Sequence, residues 1–189
     1  MIHNKKDLLY YMEEDRKAFH KPKSYSFKKK IANLLFRDGN FEYMKCLRRL
    51  EYYTNAGGVL RYYYAYKLGK LQRRTGIDLR PNVAGAGLHL PHGKVVINAS
   101  VQIGEHCKIL SDVTIGVQGS HHGRGTPPHI GNRVFIGTGA RLIGDIEIAD
   151  DIVIGANAVV TKSFLEPGIT IAGVPARKII DNRSEDFVD

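Results

Sequence analysis

The stretch Ile130-Gly131-Asn132-Arg133-Val134-Phe135-Ile136-Gly137-Thr138-Gly139-Ala140-Arg141-Leu142 opens a ladder with a period of six. Counting in sixes from Ile130 reaches Ile136, Leu142, Ile148, Ile154 and Val160, each a large aliphatic residue. Earlier in the chain, counting in sixes from Ile97 reaches Ile103, Ile109 and Ile115 in the same way. Two positions before each lies a second series, mostly small or β-branched: Val101, Cys107 and Val113, then Val134, Ala140, Ile146, Ile152, Ala158 and Phe164. Glycine repeatedly follows the first series, as at Gly104, Gly116, Gly137 and Gly155.

A period of six does not fit a helix, whereas residues i and i+2 of a strand share a face. Each unit therefore sends two apolar side chains inward on a short strand and turns a corner at a small residue. One unit cannot bury its inward pair alone. Units stacked roughly 4.8 Å apart bury a continuous core. The expected fold is mainly β, a prism of three flat parallel sheets with three sixes per coil. From Ile115 to Ile130 the step is fifteen residues instead of six, so about nine extra residues leave the ladder in Val117–Pro128. A polar excursion from a rigid solenoid is a place to expect function.

The chain has 189 residues, room for one solenoid and a smaller element. No apolar run approaches the ~20 residues of a membrane span. Charged residues interrupt the start, Met1 to Phe19, as a signal peptide would not allow. A cytoplasmic protein is expected. Two cysteines, Cys46 and Cys107, are too few for a disulfide framework. Cys107 occupies an inward ladder position and reads as a small hydrophobe, a poor nucleophile.

The formal charge of +9 is unevenly placed. Met1–Gly76 holds 18 of the 28 Lys and Arg and 7 of the 19 Asp and Glu, which leaves 10 against 12 for the remainder. All ten tyrosines also precede Gly76. Residues 1–76 are thus expected to form an α-helical N-terminal region, 77–180 the solenoid and 181–189 a tail. Four helices are expected: Lys5–Phe19, one from Ser24 or Ser26 through Phe36, Phe41–Tyr53 and Val59–Arg74. His20-Lys21-Pro22, the turn signal Asp38-Gly39-Asn40, Gly57-Gly58 and Thr75-Gly76 separate or end them. The favoured reading of this basic, tyrosine-rich region is a packing or assembly domain with solvated faces. The other is attachment to an anionic surface. Nucleic acid is not an expected partner; peripheral contact with an anionic membrane is left open.

Beyond the helices, four motifs stand in order: Gly76-Ile77-Asp78, His92, Val113-Thr114-Ile115-Gly116 and Ala172-Gly173-Val174-Pro175-Ala176-Arg177. Together they resemble a short form of the serine O-acetyltransferases, within the hexapeptide-repeat acyltransferase superfamily, over Gly76 to Ile180. The resemblance implies a left-handed coil, although parallel crossovers are usually right-handed. It implies acetyl-CoA as co-substrate, no metal, and a homotrimer or a dimer of trimers with the coenzyme in a groove between prisms. It makes His92 the base and Asp78 its orienting partner. Gly116, Thr138 and Ala156 would flank the pantetheine arm, and Lys162, Arg177 and Lys178 would meet phosphates. Acyl transfer to an alcohol needs a base for the hydroxyl proton, a dipole for the oxyanion and two substrates held in line. Histidine, with an ordinary pKa of about 6.5, suits the first task.

Two departures bear on the acceptor. The resemblance places an aspartate for the serine amino group where Pro91 stands, and an Arg-His pair for the carboxylate where Thr126 and Pro127 stand. His121 and Arg124 are the candidates to replace them, with His122 nearby. The expected activity is O-acetylation of L-serine or a related alcohol, with serine a weak acceptor. A sugar hydroxyl, as in surface-polysaccharide synthesis, is the alternative. Two further classes are a γ-carbonic-anhydrase-like zinc enzyme using His121, His122 and His129, and a non-catalytic anionic-surface binder.

Overall fold

The computed structural model describes residues 1–23, 38–119, 125–181 and 184–188. The expected helix from Ser24 or Ser26 to Phe36 lies outside the described residues, as do His121, His122 and Arg124.

Helix α1 (Lys5–Ala18) begins at a capping box: the Asn4 side chain accepts from the Lys6 and Asp7 N–H groups, and the Asp7 carboxylate answers to the Asn4 backbone. Helix α2 (Gly39–Asn55) is capped by Asp38, which accepts from Asn40 and Phe41. The sequence Asp38-Gly39-Asn40 is therefore a helix start, a correction to its reading as a turn. Helix α3 (Leu60–Thr75) stops at Gly76, whose φ of 71° is left-handed and suits glycine.

From there the chain winds as a left-handed parallel β-helix. One sheet stacks β1 (Ile77–Asp78), β2 (Val95–Ile97), β5 (Thr114–Gly116), β8 (Arg141–Ile143) and β11 (Val159–Val160). The second stacks β4 (Lys108–Ile109), β7 (Phe135–Ile136), β10 (Val153–Ile154) and β12 (Thr170–Ala172), and β13 (Arg177–Ile180) closes it antiparallel. The third holds β3 (Gln102–Ile103), β6 (His129–Ile130) and β9 (Glu147–Ile148). Ile77 pairs with Val95 and Ile136 with Ile154, eighteen residues apart, so a coil is three sixes. Ile103 pairs with Ile130, twenty-seven apart, which places the nine extra residues in the excursion after Gly116. Every residue of both ladder series is buried.

Two details differ from the ladder. Phe164 pairs with Ile148, so it stacks on the first series and not the second. A further coil lies below Ile97, with Ile77, Leu79, Leu88, Leu90 and Val95 buried. Its period is hidden because His89 pairs with Lys108, nineteen residues on, where the next coils keep eighteen.

The helices close the bottom of the prism and share its apolar core. Arg48 is fully buried. Its guanidinium meets Asp15 at 2.8 Å and Glu51 at 3.0 Å, and donates to the Ala84 and Gly85 carbonyls at 2.9 and 2.6 Å. The flanking carboxylates hold the guanidinium in its charged form. Tyr43 Oη donates to the Leu79 carbonyl at 2.8 Å. The C-terminal segment returns to the side of the prism near α1: the Ser184 hydroxyl donates to the Arg133 carbonyl, and Phe187 of α4 (Glu185–Val188) lies 5.1 Å from the Phe135 ring. No helix among the described residues is long and apolar enough to cross a membrane.

Candidate active site

The corner that leads into the first sheet forms a ridge. Lys94, Asp112, Gly139 and Asn157 stand on it with φ between 57° and 76°. One residue before each are Gly93, Ser111, Thr138 and Ala156. Backbone bonds fix this stacking: Gly139 N–H donates to Ser111 O at 3.0 Å and Asn157 N–H to Thr138 O at 2.8 Å. Lower on the ridge, Asp112 N–H donates to Lys94 O at 2.8 Å and Lys94 N–H to Thr75 O at 3.0 Å. The three steps from Gly93 to Ala156 span about 14 Å at the ordinary strand spacing.

His92 sits at the foot of this ridge and is exposed. The register explains why it projects. Three residues, Pro91, His92 and Gly93, separate Leu90 from Lys94, while only Leu110 and Ser111 separate Ile109 from Asp112 in the coil above. The extra residue bulges the corner outward. Its backbone is pressed against the end of α3: a Cβ on Gly93 would stand 1.9 Å from the Thr75 carbonyl oxygen.

Asp78 lies on β1, the strand that pairs with β2 immediately after this corner, and is half-buried. Its carboxylate is 3.7 Å from Arg80 Nε. Among the described residues no hydrogen bond or ion pair joins it to His92. Arg80 is thus a site neighbour that the sequence pattern did not supply. Ser111 is another, and the period could have found it, since it stacks beneath Thr138 once the nine extra residues are removed.

Thr138 and Ala156 are exposed side by side on the ridge. The residue before Thr138 must be glycine, because a Cβ on Gly137 would stand 2.6 Å from the Ala156 nitrogen. The result is a narrow track of small side chains and backbone. Gly116 ends β5 on the opposite edge of the same sheet, where a Cβ would meet Ile143 at an ordinary 3.8 Å. Lys162 is exposed, 5.3 Å over the Phe164 ring. Arg177 is exposed as well. Lys178 is held by Glu166 at 2.7 Å and Asp181 at 2.6 Å, so a phosphate there would compete with two carboxylates.

The excursion leaves the prism after Gly116, so sheet one has His92 at its leading edge and the excursion at its trailing edge. Its two limbs touch at their base: a Cβ on Gly125 would stand 2.2 Å from the Gln118 carbonyl oxygen. Thr126 is exposed and Pro127 half-buried. His121 and Arg124 are outside the described residues. His129 is exposed on the third sheet, and no group of three metal-binding side chains occurs among the described residues. Cys107 is buried, and burial pushes its thiol up to about 12, which suits packing and not nucleophilic attack.

Comparisons with known proteins bear on this geometry. Residues 127–162 match the family model for the bacterial transferase hexapeptide (six repeats). A serine acetyltransferase of Helicobacter pylori strain J99 is 42% identical over 125 residues, covering 65% of this chain and 72% of that protein. The crystal structure of Neisseria gonorrhoeae serine acetyltransferase superposes with a TM-score of 0.74 at 30% identity, covering 95% of this chain and 68% of that one. A Brucella abortus strain S19 serine acetyltransferase in complex with coenzyme A gives a TM-score of 0.74 at 25% identity, covering 94% and 70%.

Proposed function

The chain belongs to the serine acetyltransferase family and is an acetyl-CoA-dependent O-acetyltransferase, and we propose that it acts at the ridge corner of His92, with L-serine or a closely related alcohol as acceptor. The observation that carries the site is the bulged corner. It presents one exposed histidine at the foot of a track of small residues about 14 Å long. His92 takes the acceptor hydroxyl proton as the oxygen attacks the thioester carbonyl, and returns it to the departing sulfur. Asp78 orients the imidazole once the site is assembled; catalytic hydrogen bonds in unliganded sites are often long. In the structure its carboxylate lies beside Arg80.

Thr138 and Ala156 would line the pantetheine arm, with Ser111 added beneath them; Gly116, on the opposite edge of the sheet, would have to come from the neighbouring chain. Lys162 and Arg177 are the exposed cations available to phosphates; Lys178 is the least free of the three. The proposal includes a homotrimer, since the track needs a second wall, and a cytoplasmic location, in keeping with the charges that interrupt the apolar runs.

Pro91, Thr126 and Pro127 support a second reading, in which a sugar hydroxyl is the acceptor. Each stands where the resemblance calls for a charged partner of serine, and a site that leaves an ammonium and a carboxylate unpaired loses affinity. An acceptor screen that reads thiol release from acetyl-CoA separates the two. Turnover with L-serine supports the first reading; turnover with sugars alone supports the second. In either case His92→Ala should keep the fold and lower turnover by about 10²–10⁴, and Asp78→Asn should cost less. Full activity in His92→Ala would remove the base assignment.

A further inference from the structure

The site leaves one feature of the molecule unused, the outward face of α3. Val59, Tyr62, Tyr66, Lys70 and Arg73 recur at steps of three and four, so they form one stripe along the helix. All five are exposed, Val59 at 82%, Tyr62 at 66% and Tyr66 at 64%. Tyr63 and Arg74 flank the stripe and are exposed too. The opposite side does the packing: Leu68 is buried, and Tyr64 and Leu71 pack on the core. Solvated faces account for the cations here but not for exposed aromatic and aliphatic residues in register.

We infer that this face of α3 is a docking surface for an anionic lipid bilayer. Charge complementarity chooses the occupant. Leu60–Thr75 carries five cations (Arg61, Lys67, Lys70, Arg73 and Arg74) and no acidic residue. Lys70 Nζ lies 4.7 Å over the Tyr66 ring, and the Arg61 guanidinium 4.8 Å over Tyr62, so charge and aromatic surface share one footprint. A ring with an apolar body and a polar tip is suited to the headgroup boundary. Val59 and Leu60 give the end next to the Gly57-Gly58 turn an aliphatic tip that can enter the acyl region. A helix of sixteen residues, about 24 Å long, would lie in the plane of the surface. A second copy on this face would set five cations against five. Nucleic acid would leave Val59 and Leu60 without partners, and the stripe has no Asn, Gln, Ser or Thr to fix a phosphate register.

The test is flotation of the full chain with vesicles of phosphatidylcholine, with and without phosphatidylglycerol. The expected result is flotation with the phosphatidylglycerol vesicles only, weakened by salt. Lys70→Gln and Arg73→Gln should each weaken binding roughly fivefold. The pair Tyr62→Ser and Tyr66→Ser should weaken it about tenfold or more, with thermal stability unchanged. The inference is overturned if anionic vesicles fail to float the chain or if these variants float like the parent. It is also overturned if the tyrosine pair changes the sedimenting species, which assigns the face to a second copy. Tighter binding to RNA or DNA than to the vesicles overturns it as well.

Discussion

At the scale of single residues, the side chains with unusual surroundings are those whose neighbours come from another element. His89 is buried between the helices and the prism, with its ring 4.8 Å from Phe19. Its Nδ1 has no hydrogen-bond partner among the described residues. Burial first, then the charges of Lys108 and His20, hold it down to about 4 from an ordinary 6.5, against the opposing pull of Asp38. The unfolded chain accepts this proton near 6.5 and the folded chain only near 4. The stability contributed by a neutral His89 is therefore complete above about 6.5 and lost as pH falls toward 4. Two to three pKa units correspond to a loss on the order of 3 kcal/mol. His89→Phe, which retains a ring beside Phe19, should flatten the fall of Tm between pH 6.5 and 4. An unchanged slope would assign the acid sensitivity to other groups. None of this was legible in the sequence, because His89 takes its character from Phe19, more than sixty residues away. The inward ladder residues were legible because a pleat of period two decides their direction locally.

At the scale of elements, the corners decide what the strands display. The strands are two to four residues long and nearly uniform, and their register follows from the repeat. The corner of His92 differs by one residue, a difference that shows only when the His89–Lys108 bridge is set beside the pairing of β2 with β5. The same holds for Phe164, whose place in the shorter top coil depends on its pairing with Ile148. Helix boundaries were legible within a few residues where breakers stand, at Pro22 and Gly76, but Asp38 acts as a cap where a turn was expected. Gly93→Ala tests the corner directly. Its Cβ would stand 1.9 Å from a backbone oxygen that belongs to the end of α3, so the corner must move. A displacement of about 1 Å at a reacting group costs on the order of 100-fold in rate. The expected result is a large fall in kcat with the β-rich circular dichroism retained. Gly69→Ala is the control, since a Cβ there meets only the Arg73 guanidinium at an ordinary 3.9 Å. Equal activity in both variants would detach the corner's shape from turnover.

At the scale of the whole molecule, the layout of one sheet implies a neighbour. His92 stands at its leading edge and the Val117–Pro128 excursion leaves from its trailing edge, so one chain holds them on opposite sides of a face. In a closed ring the trailing edge of one prism meets the leading edge of the next. Sedimentation should show a trimer, and excision of residues 119–124 should preserve it, because Gln118 and Gly125 already touch. Turnover should fall if the excursion serves the acceptor side of a corner, whether the next chain's or its own. The decisive measurement mixes two inactive proteins, the excised variant and His92→Ala, after dissociation and reassembly. If the excursion serves the neighbouring corner, roughly one site in four in the mixture pairs an intact His92 with an intact excursion. Activity should then return to about that fraction of the parent. If the excursion folds over its own chain's corner, every site in every mixed ring lacks one part and no activity returns. The repeat in the sequence could announce a prism and an interruption, but which chain the interruption serves depends on the ring, and subunit mixing reads that arrangement directly.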